Sequence, residues 1–324
     1  MSRPRVLVAS DRIGPLDSAA AGGAIASGFA GVADVAVVPL ASGGRDLAVA
    51  LAAVLHTRVN GDGPGWWVET PEVIVAGFAQ PSGAAWRPAA STSDVGEWVR
   101  QVLDGRDQPH VVLDLTGVTA HDAGVGLQEV AGDILAGRRL DGLVPSPELE
   151  LPATGATGML ARRAHGAGVD LAELLAADAR LRDWVAVHAP GLGSVPGSGA
   201  AGGTALAVLA GGGELLTATQ FCYRLAGLGT TVRAADLVVT GCTDLSAIDR
   251  GGEVVSAVAG WADEAERPCI AFTTGTGLSR RELRTFGLEA AHAVDVPVAA
   301  SSLEAVAARI AAGWFPGRAA ADVH

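Results

Sequence analysis

The residues of this chain suited to chemistry are aspartates near strand and helix ends, a glycine-rich run, and a histidine beside an acid. Asp11 follows the apolar run Val6–Ala9. A carboxylate just past a buried parallel strand lies where open α/β sheets bind ligands, with a loop or helix-cap role as the ordinary alternative. Asp122 stands ahead of an apparent helix from Leu127 onward, and serves either in a site or as an N-cap. The stretch Pro196–Gly203 contains Gly197, Gly199, Gly202 and Gly203. It can present backbone N–H groups to an anion at a helix start, or it can simply let a helix pack closely. His121 adjoins Asp122, but no serine or cysteine nucleophile in a matching context accompanies it. Cys222, Cys242 and Cys269 lack C-x-x-C spacing, so neither a zinc site nor a disulfide framework is expected, and no metal ligand is assigned.

Composition removes whole mechanisms. All 23 basic residues are arginine, with no lysine among the 324 residues. There is therefore no P-loop lysine for a β/γ-phosphate, no protein-kinase strand lysine and no pyridoxal-phosphate Schiff base. A net charge of −12 without a basic tract argues against nucleic acid. The stretch Trp184–Gly213 carries no formal charge, but its sustained apolar part is only Ala205–Ala210, far short of the ~20 residues a membrane span needs. It is expected to be a glycine-rich turn running into a core helix, with no membrane contact. The N-terminus leads into a strand without a signal-like apolar region, so a cytoplasmic location is expected.

The elements that must position these residues alternate. Val6–Ala9 and Val35–Leu40 are predicted strands, Ser18–Phe29 and Leu47–Leu55 helices. The last ninety residues repeat the rhythm with Leu237–Thr240, a helix over Val254–Ala262, and the strand Cys269–Thr273. A final helix is expected with Ser301 as cap, Glu304 at its third position and Gly313 as stop. Between the two ends, Trp66–Val68, Val73–Ala76 and Val111–Leu115 are predicted strands, and Asp94–Leu103 and Asp170–Val185 helices. This pattern predicts an α/β fold: residues 1–60 plus 233–324 forming one parallel-sheet domain, and 61–232 inserted as a second domain. A cleft between the two is the default ligand site.

The order of loops resembles the bacterial glycerate kinase family, the two-domain type that phosphorylates glycerate on its 2-hydroxyl. The family's P-D-S-F-K-G-S is represented by Ser10-Asp11-Arg12-Ile13-Gly14-Pro15-Leu16, with Asp11 kept and Gly14 at the lysine position. Its P-L-A-D-G-G-E-G-T is Pro39-Leu40-Ala41-Ser42-Gly43-Gly44-Arg45-Asp46-Leu47, where Ser42 and Arg45 replace the acids. Its G-L-G-G-S-A-T-N-D-G-G-A-G becomes Asp114–Gly126, with Asp122 retained, and P-G-A-G-A-A-G-G is nearly intact as Pro196–Gly203. In the stretch A-D-L-V-I-T-G-E-G-R-L-D, represented by Ala235–Ser246, the glutamate is Cys242, the arginine Asp244 and the aspartate Ser246; a later lysine is Glu253.

The resemblance implies a flavodoxin-like domain built from both chain ends, an inserted α+β domain, and an active site in the cleft between them. Phosphoryl transfer needs cationic groups on the phosphates, usually a metal held by carboxylates, and something to orient the attacking hydroxyl. Each lost charged group aimed at the transition state costs ~3 kcal/mol, about a hundredfold in rate. Replacement groups are conceivable: Arg12 and Arg45 occupy the same loops, an arginine fork grips phosphate bidentately, and Asp244 and Asp249 flank the missing aspartate. Asp11, Asp122 and Asp244 are thus the catalytic candidates. Arg12, Arg45, Gly197, Gly199, Gly202 and Gly203 are the substrate- or phosphate-binding candidates. The expectation is a glycerate-kinase-like protein that has lost catalysis and acts in binding, regulation or assembly, with an unidentified protein partner or self-association. The alternatives are an active ATP-dependent glycerate 2-kinase with a remodelled site, using ATP and magnesium, and a sensor binding a small acid.

Overall fold

The computed structural model describes residues 3–80, 90–165 and 168–316. The chain begins with β1 (Arg5–Ser10), α1 (Ser18–Phe29), β2 (Asp34–Pro39) and α2 (Gly44–Val54). There follow β3 (Gly65–Glu69), β4 (Val73–Phe78), α3 (Ser93–Leu103), β5 (His110–Asp114), α4 (Val125–Leu135) and β6 (Arg139–Leu143). Next come α5 (Met159–Ala164), α6 (Leu171–His188), α7 (Ala205–Ala210), β7 (Leu215–Leu216), α8 (Ala218–Leu225) and α9 (Leu228–Ala234). The C-terminal part is β8 (Leu237–Gly241), α10 (Gly252–Glu264), β9 (Cys269–Thr273), α11 (Arg280–Thr285), β10 (Ala290–Ala293) and α12 (Ala300–Trp314). These elements form two compact units, Met1–Ser42 with Val49–His56 and Thr219–His324, and Gly43–Ala48 with Thr57–Ala218.

The first unit is a five-stranded parallel sheet of order β10-β9-β8-β1-β2. Val6, Leu7, Val8 and Ala9 are buried, as are all five residues of β8, which is why Val6–Ala9 and Leu237–Val239 read as unbroken apolar runs. Ile25, Phe29, Val239, Ile270, Phe272 and Leu303 build the core beside them. With few aromatics available, close approach supplies the packing. A Cβ on Gly28 of α1 would lie 2.6 Å from Ala307 Cβ of α12, so the two helices meet nearly backbone to backbone. Asp17 starts α1 by accepting from the Ala20 N–H at 2.8 Å.

The last helix departs from expectation at both ends. Ser302, not Ser301, closes its first turn: its Oγ accepts from the Ala299 N–H at 3.0 Å, so the helix begins at Ala300 and Glu304 takes no capping role. Gly313 does not stop it, because its φ is not in the left-handed region a C-terminal glycine stop requires.

The second unit has a sheet of order β3-β4-β5-β6-β7, parallel except where β3 runs against β4. Ile74, Val99, Val111, Leu113 and Leu127 lie in its core, with Trp67, Phe78 and Trp98 packed against them. The tryptophans fit because glycines make room: a Cβ on Gly77 would lie 2.5 Å from the Trp66 ring, and one on Gly65 the same distance from Trp98. A second cluster joins Leu181 and Val185 of α6 to Leu151, Met159 and Leu206. The uncharged stretch begins with the end of α6, passes through turns and runs into the short buried helix α7. Among the described residues no helix is long and apolar enough to cross a membrane.

Candidate functional site

In the first unit the candidates collect where β1, β8 and β9 end. The loops there are tied by backbone and hydroxyl bonds. The Asp11 N–H donates to Gly241 O at 3.1 Å, the Gly14 N–H to Thr243 Oγ1 at 2.9 Å, and the Thr274 N–H to Thr243 O at 3.0 Å. Cys242 sits among them, buried, with its Sγ donating to Asp244 O at 3.2 Å. Burial pushes its thiol up to about 12; a contact with Thr273 opposes this, and the carboxylates of Asp11, Asp249 and Asp244 reinforce it. The structure therefore brings Asp11 and Asp244 together around a neutral thiol. Arg12 donates from Nη2 to Gly14 O at 3.3 Å, while its N–H binds Asp11 Oδ1 at 2.7 Å. Asp249 accepts from Ser246 Oγ at 2.7 Å and from the Gly251 N–H at 3.2 Å. These bonds, the serine's first, hold its carboxyl below the usual range. Glu253, where the resemblance places a lysine, accepts from Thr219 Oγ1 at 3.1 Å.

Magnesium-ATP requires oxygen ligands for the cation and positive groups for the phosphates. Among the described residues no three His, Cys, Asp or Glu side chains are grouped to hold a metal ion. Around Cys242 the neighbouring charges are carboxylates, which repel phosphate. Oxygen donors of the kind a magnesium ion takes are present in Asp11, Asp244 and Asp249, whereas the charges acting on Cys242 include no cation for the phosphates.

In the second unit Asp122 is a structural hub. Its carboxylate accepts from the Thr92 N–H at 2.7 Å, Thr92 Oγ1 at 3.0 Å, Ser91 Oγ at 3.2 Å, and the N–H groups of Gly124 and Gly126 at 3.1 Å. It thereby joins the start of α3 to the first turn of α4, and Gly124, not Asp122, occupies the N-cap. His121 Nε2 accepts from Arg163 Nε. Burial, then the Arg163 charge, lowers the imidazole to about 4 against the pull of Asp122, so the ring is neutral at pH 7. Arg45 donates from Nη2 to Gly61 O at 3.1 Å.

The glycine-rich run turns inward. The Gly199 N–H donates to Leu151 O at 2.8 Å, the Ala200 N–H to Gly197 O at 2.9 Å and the Gly203 N–H to Gly199 O at 3.1 Å. The Ala201 N–H donates to the Glu148 carboxylate at 2.8 Å, so the anion at this turn is the protein's own. Its glycines answer to packing. At Gly202, with φ +63°, a Cβ would lie 1.7 Å from Ala120 O, and at Gly199 one would lie 2.2 Å from Pro152 O.

Sequence reasoning passed over two residues. Asp114 ends β5 buried, accepting from the Gly44 N–H at 2.6 Å, Thr116 Oγ1 at 2.7 Å and the Thr116 N–H at 3.0 Å. Burial raises its pKa against those bonds. It follows the apolar run Val111–Leu113 much as Asp11 follows β1, so the same criterion would have found it. It also accounts for the Gly43-Gly44 pair: a Cβ on Gly43 would lie 2.1 Å from Thr116 Oγ1. Glu148 carries no local signal, because its partner is 53 residues away.

A sequence profile of the glycerate kinase family matches residues 146–312, just over half of the chain. The chain belongs to the glycerate kinase family. The fold of this glycerate kinase family member is shared by a crystal structure from Salmonella typhimurium LT2, provisionally assigned as glycerate kinase 2. The TM-score is 0.75 at 20% identity, covering 98% of this chain and 100% of that one. Two uncharacterised proteins, from Mycobacterium bovis and Mycobacterium tuberculosis, are each 28% identical over 210 residues, 63% of this chain. The match spans 55% of the length of each of these relatives.

Proposed function

We propose that this glycerate kinase family member binds a ligand or partner without transferring phosphate. The observation that carries this reading is Cys242: a buried thiol at about 12 stands where the family pattern has glutamate, with Asp11, Asp249 and Asp244 as its charged neighbours. A phosphoryl group approaching that point meets negative charge and gains no cation, the reverse of the preorganised electrostatics that phosphoryl transfer relies on. Arg12 and Arg45, the candidate substitutes for the missing lysines, each donate to a backbone carbonyl, Arg12 to Gly14 O in its own loop and Arg45 to Gly61 O in the segment before β3. Several such losses, at about a hundredfold each, leave little catalysis.

The test is a melt in millimolar Mg-ATP beside an assay of glycerate-dependent ADP release. A ligand present at a hundred times its Kd stabilises by ~2.7 kcal/mol, a shift of roughly a few degrees in a chain this size. The expected result is an unchanged melting temperature and no turnover. A clear shift together with ADP release abolished by Asp11→Asn would overturn the proposal in favour of an active, remodelled kinase. A shift without turnover would identify a nucleotide sensor.

A further inference from the structure

In the first unit a cavity of about 270 Å³ lies between α10 and the turn that follows α11. Ser256, Ala259, Gly260 and Asp263 present one face of α10 to it at helical spacing, and Arg284, Thr285 and Phe286 form the opposite wall. The small residues keep the floor open. The turn itself comes close: a Cβ on Gly287, whose φ is +76°, would lie 3.4 Å from Ala259 Cβ. Arg250 closes one end, its guanidinium over the Phe286 ring at 5.0 Å. Among the described residues neither Arg250 nor Arg284 has an ion pair or a side-chain hydrogen bond. Asp249, next to Arg250 in the chain, directs its carboxylate into its own loop through Ser246 and Gly251. In a chain of net charge −12, this cavity is lined by two arginines and one carboxylate, Asp263, with which neither arginine forms an ion pair.

We propose that this cavity binds a small phosphate ester that carries free hydroxyl groups, as a site separate from the strand-end loops around Cys242. Two planar guanidinium forks match phosphate oxygens bidentately. The hydroxyl of Ser256 adds a donor beyond what the two oxygens of a carboxylate can use, whereas Thr285 Oγ1 donates to Glu282 O at 2.7 Å and offers the cavity an acceptor for a ligand hydroxyl. Asp263 is an acceptor at the same wall and repels a bare anion, so it favours a ligand whose remote end donates a hydroxyl. The volume suits a three- or four-carbon ester. Binding also acts on the loop before α10. The Arg250 N–H donates to Ser246 O at 3.1 Å, so a ligand holding the Arg250 side chain fixes the segment that carries Asp244 and Asp249.

The experiment is calorimetric titration of the whole chain with sn-glycerol 3-phosphate and, separately, with inorganic phosphate. The ester is expected to bind saturably and at least about tenfold more tightly than phosphate. Arg250→Gln and Arg284→Gln should each weaken it by about tenfold or more, the loss of one charged hydrogen-bonding group. Their melting temperatures should remain at the wild-type value, since both side chains are exposed. Asp263→Asn should weaken the ester and tighten inorganic phosphate, since it removes the charge that repels a bare anion. Backbone exchange over residues 244–251 should slow when the ester is bound. Absence of saturable heat, undiminished binding by Arg284→Gln, or equal affinity for inorganic phosphate would each overturn the assignment. None of these outcomes depends on whether Mg-ATP binds or turns over.

Discussion

Replacing Gly202 with alanine tests whether the glycine-rich run serves packing. The residue sits at φ +63°, and the added Cβ would lie 1.7 Å from Ala120 O. Holding alanine in the left-handed region costs about 1–2 kcal/mol. An ordinary carbon–oxygen contact needs about 3.3 Å, so the 120–123 segment must move by more than an ångström, and overpacking of this kind costs about 1–3 kcal/mol. The total, about 2–5 kcal/mol, is a large fraction of a domain's stability of roughly 5–15 kcal/mol. The shift also strains the Ala123 N–H bond to Gly202 O, 3.2 Å long, beside the Asp122 hub. Gly132 is the internal control: it lies inside α4 with nothing within 4 Å of its would-be Cβ, and alanine there should stabilise by about 0.5–1 kcal/mol. Urea unfolding followed by tryptophan fluorescence, measured on a Trp261→Phe, Trp314→Phe background that silences the first unit, reports on this unit, since Trp66, Trp67, Trp98 and Trp184 all belong to it. Gly202→Ala should unfold at markedly lower urea and Gly132→Ala at slightly higher urea than wild type. A Gly202→Ala midpoint equal to that of wild type would refute the packing argument.

Two further outcomes follow from the titrating groups. Burial first, with other influences at Cys222 and Cys242, pushes all three thiols to about 12. Iodoacetamide at pH 8 should therefore label none of them in the native protein and all three once it is unfolded; rapid native labelling of Cys242 would contradict its placement. His121 has a folded value of about 4 against an ordinary 6.5. Folding thus favours the neutral ring, and its contribution to stability is complete above pH 6.5 and lost as the pH falls towards 4. His121→Gln should flatten acid destabilisation in that window, and an imidazole resonance titrating near 6.5 in the folded protein would rule the argument out.

The helix α1 and the inner strands β1, β8 and β9 were legible because their residues are uniformly apolar or closely spaced small side chains. β6 was not, because Asp141 interrupts it. That carboxylate is buried yet paired with His110 Nε2 at 2.8 Å, Arg139 Nη2 at 2.8 Å and the Glu214 N–H at 2.9 Å, and no local pattern announces partners 31 and 73 residues away. β10 reads Ala-Ala-His-Ala, too little apolar surface to stand out. At the candidate sites, replacements such as Cys242 and Glu253 were visible directly. The partners of Asp122 and of the glycine-rich run, Thr92 and Glu148, are long-range, and only the folded chain reveals them.

The pairing of β1 with both β2 and β8 has a consequence for synthesis. Val6 lies beside Val35 and beside Leu237, so the central strand acquires one neighbour early and must wait some two hundred residues for the other. Meanwhile almost all of the second unit, Thr57–Ala218, has left the ribosome as one continuous segment. At about 5–20 residues per second the wait lasts roughly ten to forty seconds, during which the apolar flank of β1 lacks its native cover. The nascent two-stranded fragment is therefore the stage at which chaperone capture or misassociation of this chain is concentrated, and truncation before β8 should leave the early segment insoluble.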